Sequence, residues 1–334
     1  MATGPIPFKS SNNEEEDVKP CPPHDYDELV STLPLQEGLR LYQNFWWPES
    51  VVPGIIQIQQ QFHARPTDVF LATFPKSGTT WLKALIFTIM TRTQSPLAQN
   101  PILSHHPHDC VIFMDGLFAI GHGHKLEPMP SPRILHTHMA YSLLPASVRD
   151  DDPGSRIIYL CRDPKDTVVS LWRFLEKSNH EKAKEFPFDK LCDMFCEGTS
   201  PIGPIWDHVL QYWRESLRRP DKVLFLTYEE MLENTVKIVK RLGEFLGCPF
   251  SEEEEREGVV EEVVRICSFE NLKGLEVNKV GSQGSFWKFS NSSYFRKGGV
   301  GDWKNHMSME MAKKMDEVMR GKIKGSGLIL PTLN

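Results

Sequence analysis

No uninterrupted apolar run in the 334-residue chain approaches the roughly 18 residues needed to cross a bilayer. Residues 1–20 also lack the apolar core of a secretory leader. Both absences argue against a helical membrane protein, and the expectation is a cytoplasmic one. Paired cysteines are missing too: the seven (Cys21, Cys110, Cys161, Cys192, Cys196, Cys248, Cys267) are odd in number and scattered. That pattern excludes the disulfide framework of a small secreted domain and predicts reduced thiols. Cys192 and Cys196 are four apart, but no second Cys or His pair follows at a ligand interval, so they are read as a helix face and no metal is expected. Nor is there a surplus of positive charge. With 38 Lys and Arg against 44 Asp and Glu the net charge is -6, so the surface as a whole repels nucleic acid and anionic membrane. Any anion must be held by cations concentrated locally.

What is present is the composition of an ordinary globular protein, 40% hydrophobic and 25% charged. The length allows one large α/β domain or two smaller ones. Residues 1–24 mix Gly4, Pro5, Pro7, a polar and acidic run from Ser10 to Asp17, and Pro20, Pro22 and Pro23. Such text buries too little apolar surface to offset ordering entropy, so it is expected to be a flexible tail ahead of a domain over 25–334. Tyr42, Phe45, Trp46 and Trp47 mark a segment that packs onto the body. Four apolar runs, Val69–Phe74, Ile134–His138, Arg156–Cys161 and Val223–Thr227, lead into loop residues. Helical periodicity follows three of them, the rhythm of a parallel sheet with crossover helices. The last of these helices is expected to run from Glu229 to Leu246 and to close at Gly247; Ser251, followed by four glutamates, caps another.

The most informative segment is Thr73–Trp81, TFPKSGTTW, between a strand and a helix, where backbone N–H groups and the helix dipole converge on an anion. Lys76 adds charge; Ser77, Thr79 and Thr80 add hydroxyl donors; Gly78 lets the backbone approach closely. A plain turn uses the same residue types. A nucleotide-kinase loop would place Lys directly after its second Gly, whereas here Lys76 precedes Gly78 and the first Gly is missing. The departure points to a nucleotide-like anion handled without the usual Mg²⁺ arrangement.

The stretch Pro75–Trp81 resembles the 5'-phosphosulfate loop of the cytosolic sulfotransferases, particularly their plant branch. Tyr159–Asp166 (YLCRDPKD), continuing to Ser170, resembles the strand and turn that hold the 3'-phosphate of 3'-phosphoadenosine 5'-phosphosulfate (PAPS) in that family. Arg296–Trp303 (RKGGVGDW) is similar to its C-terminal glycine-rich signature. The resemblance implies a P-loop NTPase-like α/β domain with a central parallel sheet, which transfers a sulfuryl group from PAPS to a hydroxyl of a small organic acceptor. It implies that Arg162, Ser170, Arg296, Lys297 and the Gly298 N–H surround the 3'-phosphate, and that Trp81, Phe269 and Tyr228 hold adenine, with Ser268 beside them. It further implies that His138 is the general base, that Lys76 stabilises the leaving oxygen, and that Ser170 restrains Lys76 beforehand.

An unperturbed imidazole suits that proton transfer at neutral pH, and strand alternation predicts that His136 and His138 face one side. The histidines from His105 to His124 suit an acceptor pocket better than a zinc site, though their role and that of His136 are not legible, and the loops around 111–120 and 286–295 are expected to shape the pocket. Two other readings remain: an ATP/Mg-dependent small-molecule kinase and a non-catalytic nucleotide-binding protein. Acceptor identity is not legible, and neither is the choice between monomer and homodimer. Ser308, Met309 and Lys313 depart from the dimer-forming segment of animal relatives.

Overall fold

The computed structural model describes residues 26–150, 154–178, 186–284 and 288–333. The expected tail, residues 1–24, lies outside them, as does Phe286. Near the N-terminus a small antiparallel sheet joins β1 (Leu35–Gln36), β2 (Leu39–Tyr42) and β3 (Phe45–Pro48). Phe45 and Trp47 are buried, so the aromatic segment does pack onto the body.

The frame of the site is a five-stranded parallel sheet of β4 (Val69–Thr73), β5 (Ile112–Phe113), β6 (Ile134–Thr137), β7 (Arg156–Cys161) and β8 (Val223–Thr227), in the order β5-β6-β4-β7-β8. Side chains of a strand alternate between faces, and here the two faces feed two separate cores. Phe70, Ala72, Leu135, Ile157, Tyr159 and Phe225 enter one; Val69, Leu71, Ile134, Ile158, Leu160 and Leu224 enter the other. Both faces are thus buried, which is why these strands read as continuous apolar runs. Helices Thr79–Thr91 and Thr235–Phe245 cover the second face through Leu82, Leu85, Ile86, Ile238 and Leu242. The first face is covered in part by Val52–Gln61 and Ile205–Arg218.

Three boundaries differ from expectation. The strand Ile112–Phe113 lies within text read as loop, since two residues give no periodicity. β4 and β6 each stop one residue early, leaving Phe74 and His138 just beyond the strand ends. The helix expected from Glu229 to Leu246 is two, Tyr228–Glu233 and Thr235–Phe245, because Asn234 is non-helical at φ -135 and ψ 46. Gly247 takes the left-handed conformation after the second, at φ +74. Ser251 and Glu254 form a reciprocal capping box, the Glu254 N–H 3.1 Å from Ser251 Oγ.

Candidate active site

β4, β6 and β7 all end at one edge of the sheet, so the loops after them meet there. The loop after β4 carries Lys76 at φ +69 and Gly78 at φ +110. A Cβ on Gly78 would lie 2.6 Å from the Tyr228 ring, so only glycine lets the loop rest on that tyrosine. Helix Thr79–Thr91 starts directly after it and turns its free N–H groups toward the cleft. Ser77 Oγ and Trp81 Nε1 are buried with no hydrogen-bond partner among the described residues. Thr79 Oγ1 lies 2.7 Å from Thr73 Oγ1. Lys76 Nζ sits 3.5 Å above the Phe174 ring. Burial, then the charges of Arg296, Arg162 and Lys177, push its ammonium down to about 7. Cations crowded enough to disfavour one another mark a place where an anion belongs.

The second cationic group comes from segments far apart in the chain. Arg162, just past β7, stacks 4.5 Å over the Tyr228 ring and donates to the Gly299 carbonyl at 2.7 Å. Asp166, fully buried in helix Pro164–Leu175, accepts from the Gly301 and Trp303 N–H groups at 2.7 and 3.0 Å and pairs with Arg162 at 3.5 Å. The glycine-rich segment is thereby tied to the turn after β7. Arg296 and Lys297 both donate to the Asp302 carboxylate. Burial raises that carboxyl, but the bonds from Lys297, Arg296 and Asn305 outweigh it and hold the group well below the ordinary carboxylate range. Gly298, at φ +69, lies so close to Phe269 that a Cβ would come within 2.4 Å of the ring. The Nε atoms of Arg162 and Arg296 are buried and unpartnered among the described residues. Trp81 meets Tyr228 edge to face at 5.7 Å.

His138 follows directly after β6 and lines the same cleft as Lys76, Arg162 and Arg296. Its backbone N–H donates to Asp115 at 2.7 Å, and Asp115 also accepts from Thr137 Oγ1 at 2.6 Å. Burial raises the Asp115 carboxyl to about 7 and lowers His138 to about 3, so the imidazole is neutral in this cleft. His136 and His138 lie on the same side, rings perpendicular with centroids 4.4 Å apart. A cleft of about 1920 Å³ runs from Lys76 and His138 past Phe113, Ile120 and Phe289. Segments 112–120 and 288–295 both border it.

Lys76, Gly78, Thr79, Thr80, Trp81, His138, Arg162, Ser170, Tyr228, Ser268, Phe269, Arg296, Lys297 and Gly298 all line this one cleft. Ser77 lies buried behind its loop. Ser268 Oγ is engaged in capping helix Phe269–Gly274, and Cys267 points away, to Thr88. The assignment of the loop histidines to the acceptor pocket needs correction. Of these only His108 reaches the cleft; His106 is buried against Tyr294 and Phe295, and His105, His122 and His124 are not part of the lining. Sequence reasoning missed Asp115, Asp166, Asp302 and Phe174; among them Asp166 and Asp302 carried a signal, their places in the Tyr159–Asp166 stretch and in the glycine-rich signature.

Residues 66–327 match the model of the sulfotransferase domain, and the chain belongs to that family. It is a PAPS-dependent sulfotransferase with a P-loop-like α/β fold. It is 41% identical to cytosolic sulfotransferase 12 of Arabidopsis thaliana over 308 residues, 90% of this chain and 92% of the relative. It is 40% identical to flavonol 4'-sulfotransferase of Flaveria chlorifolia, over 94% of this chain and 96% of that one. Among solved structures, a mouse sulfotransferase complexed with PAP superposes with a TM-score of 0.68 at 27% identity, covering 86% of this chain and 95% of the other. An Arabidopsis thaliana sulphotransferase superposes with a TM-score of 0.72 at 35% identity, covering 93% and 99%. Among the described residues no helix is long and apolar enough to cross a membrane, and no group of His, Cys, Asp and Glu could hold a metal ion.

Proposed function

We propose that this cleft binds PAPS between the two cationic groups and moves its sulfuryl group to a hydroxyl of a small, largely apolar acceptor. The observation that carries the reading is the convergence of Lys76, Arg162 and Arg296, with orphaned donors at Ser77, Trp81, Arg162 and Arg296, on one side of a neutral imidazole. Lys76, the Ser77 to Thr80 hydroxyls and the helix N–H groups hold the 5'-phosphosulfate. Arg162, Ser170, Arg296, Lys297 and the Gly298 N–H hold the 3'-phosphate; Trp81, Tyr228, Phe269 and Ser268 enclose adenine.

His138 Nε2 takes the acceptor proton, the freed oxygen bonds to sulfur in line with the departing phosphate oxygen, and Lys76 stabilises the charge growing on that oxygen. Lys76 starts from its place over Phe174, with Ser170 close by on the cleft wall. The flavonol in the name of the Flaveria relative suggests a phenolic acceptor, and an apolar wall including Ile112, Phe113 and Ile120 suits one. A cytosolic location agrees with the names of the Arabidopsis relatives.

The test is a donor comparison with a panel of phenols and alcohols. PAPS supports product formation with release of adenosine 3',5'-bisphosphate, and ATP with Mg²⁺ does not. Turnover with ATP alone would favour the kinase reading, and tight bisphosphate binding without transfer to any acceptor would favour a binding protein.

A further inference from the structure

Behind the phosphate loop lies a chain of polar side chains to which the reaction, as described, gives no task. Lys83 is three residues beyond Thr80 on helix Thr79–Thr91, so both lie on one face, and its side chain is wholly buried. Its Nζ bonds to the Val111 carbonyl at 3.0 Å and to His108 Nδ1 at 3.2 Å. His108, from the short helical turn Pro107–Cys110, reaches in the other direction with Nε2 3.1 Å from Thr80 Oγ1.

Donor counting gives this chain a direction. Burial lowers Lys83 to about 7, so at pH 6.5, below that value, its Nζ is an ammonium with hydrogens and no lone pair, and it donates to Nδ1. Burial, and then the nearby Lys83 charge, hold His108 well below the ordinary imidazole range, so the ring is neutral and carries its single hydrogen on Nε2. That N–H donates to Thr80 Oγ1. The hydroxyl, already accepting from behind, has its own hydrogen left to give toward the loop. Without the chain it could turn that hydrogen back to His108 and present lone pairs to an anion instead.

We propose that Lys83 and His108 are positioning residues that hold the Thr80 hydroxyl as a donor toward the 5'-phosphosulfate end of the nucleotide. This rests on the reading that the loop Pro75–Thr80 holds that end. Lys83 is wholly buried and is not part of the cleft lining, His108 borders the cleft beside Thr80, and in this reading both act through the Thr80 hydroxyl.

The test is calorimetric titration of the full chain with adenosine 3',5'-bisphosphate and with adenosine 3'-monophosphate, which lacks the 5' phosphate. Lys83→Met and His108→Leu weaken the bisphosphate about tenfold, the effect of losing one hydrogen bond to a charged group, and leave the 3'-monophosphate unchanged. His108→Gln, whose amide still donates to Thr80, recovers most of the loss. In a Thr80→Val background Lys83→Met costs nothing further, because the hydroxyl it acts through is gone. Equal losses for both ligands, or additive losses with Thr80→Val, would overturn the proposal in favour of a merely structural role. Nitrogen-15 imidazole spectra of the unsubstituted protein at pH 6.5 give an answer that does not depend on any variant folding. His108 is expected to be protonated at Nε2, and protonation at Nδ1 would be fatal to the idea. A wild-type chain that bound the bisphosphate no more tightly than the 3'-monophosphate would instead remove the loop reading, and the proposal with it.

Discussion

His138 Nδ1 lies 2.7 Å from the carbonyl oxygen of Thr73, across the gap between two neighbouring strands. A carbonyl only accepts, so Nδ1 carries the hydrogen and Nε2 keeps its lone pair. Which ring nitrogen keeps a lone pair is thereby set by the backbone of β4, the strand that also leads into the loop of Lys76. His138→Ala should therefore lower turnover by about 10² to 10⁴ while leaving bisphosphate affinity unchanged. Rates from bisphosphate release and affinities from titration check it; a near-normal rate would mean that another group takes the proton.

Arg296 is expected to act on one end of the nucleotide only. Its guanidinium, held by Asp302, is available to a 3'-phosphate with Nε unpartnered. Arg296→Met should weaken PAPS or its bisphosphate product by about tenfold to a hundredfold. Adenosine 5'-phosphosulfate, which lacks the 3'-phosphate, should lose little. A parallel loss for both would place Arg296 outside the 3' clamp.

Gly298 and Gly299 are adjacent and should respond in opposite ways. Gly298 has φ +69 and would drive a methyl group into the Phe269 ring, whereas a Cβ on Gly299 meets nothing within 4 Å. Gly298→Ala should cost ~1–2 kcal/mol from the left-handed backbone and displace Phe269, raising the KM for PAPS. Gly299→Ala should remain close to wild type in both Tm and KM. If the two variants behaved alike, contact with Phe269 would not be the reason for glycine at 298.

How much of this was legible depends on how far apart the cooperating residues lie. Loop Thr73–Trp81 could be read because Lys76, Gly78 and its hydroxyls are contiguous, and the four longer strands because burial on both faces leaves apolar runs. Arg162 and Gly299, 137 residues apart, meet only after folding, and no local pattern announces their bond. The resemblance to a family brought Arg162 near Arg296, Lys297 and Gly298 but did not name that bond, and the residues themselves gave neither. Asp115 was invisible for the same reason, and the quoted Tyr159–Asp166 stretch gave no hint of the partner of Asp166, since a carboxylate that orients a backbone N–H 23 or 135 residues away looks like any other acidic residue. The break at Asn234 was within reach: an asparagine ahead of Thr235 is a helix-start signal that the apolar periodicity overrode.

His208 offers a test of the polar support beneath the base. It is buried, with Nε2 3.0 Å from the His138 carbonyl oxygen and Nδ1 2.8 Å from the Tyr159 hydroxyl. Nε2–H therefore donates to the carbonyl, and Nδ1 accepts from Tyr159. Burial lowers the imidazole to about 4, partly opposed by the bond to His138, whereas an unfolded chain returns it to about 6.5. Between those values the unfolded chain binds a proton that the native one refuses, so the contribution of His208 is intact above about 6.5 and is lost as the pH falls toward 4. Gln at this position removes the titration. Urea unfolding should accordingly show the stability advantage of wild type over His208→Gln shrinking by roughly 2 kcal/mol between pH 7.5 and 4.5. Other titrating groups cancel in that difference as long as both chains share the fold. A gap that stays constant with pH would mean that native His208 takes up a proton as readily as the unfolded chain does, and the neutral ring accepting from Tyr159 would have to be abandoned.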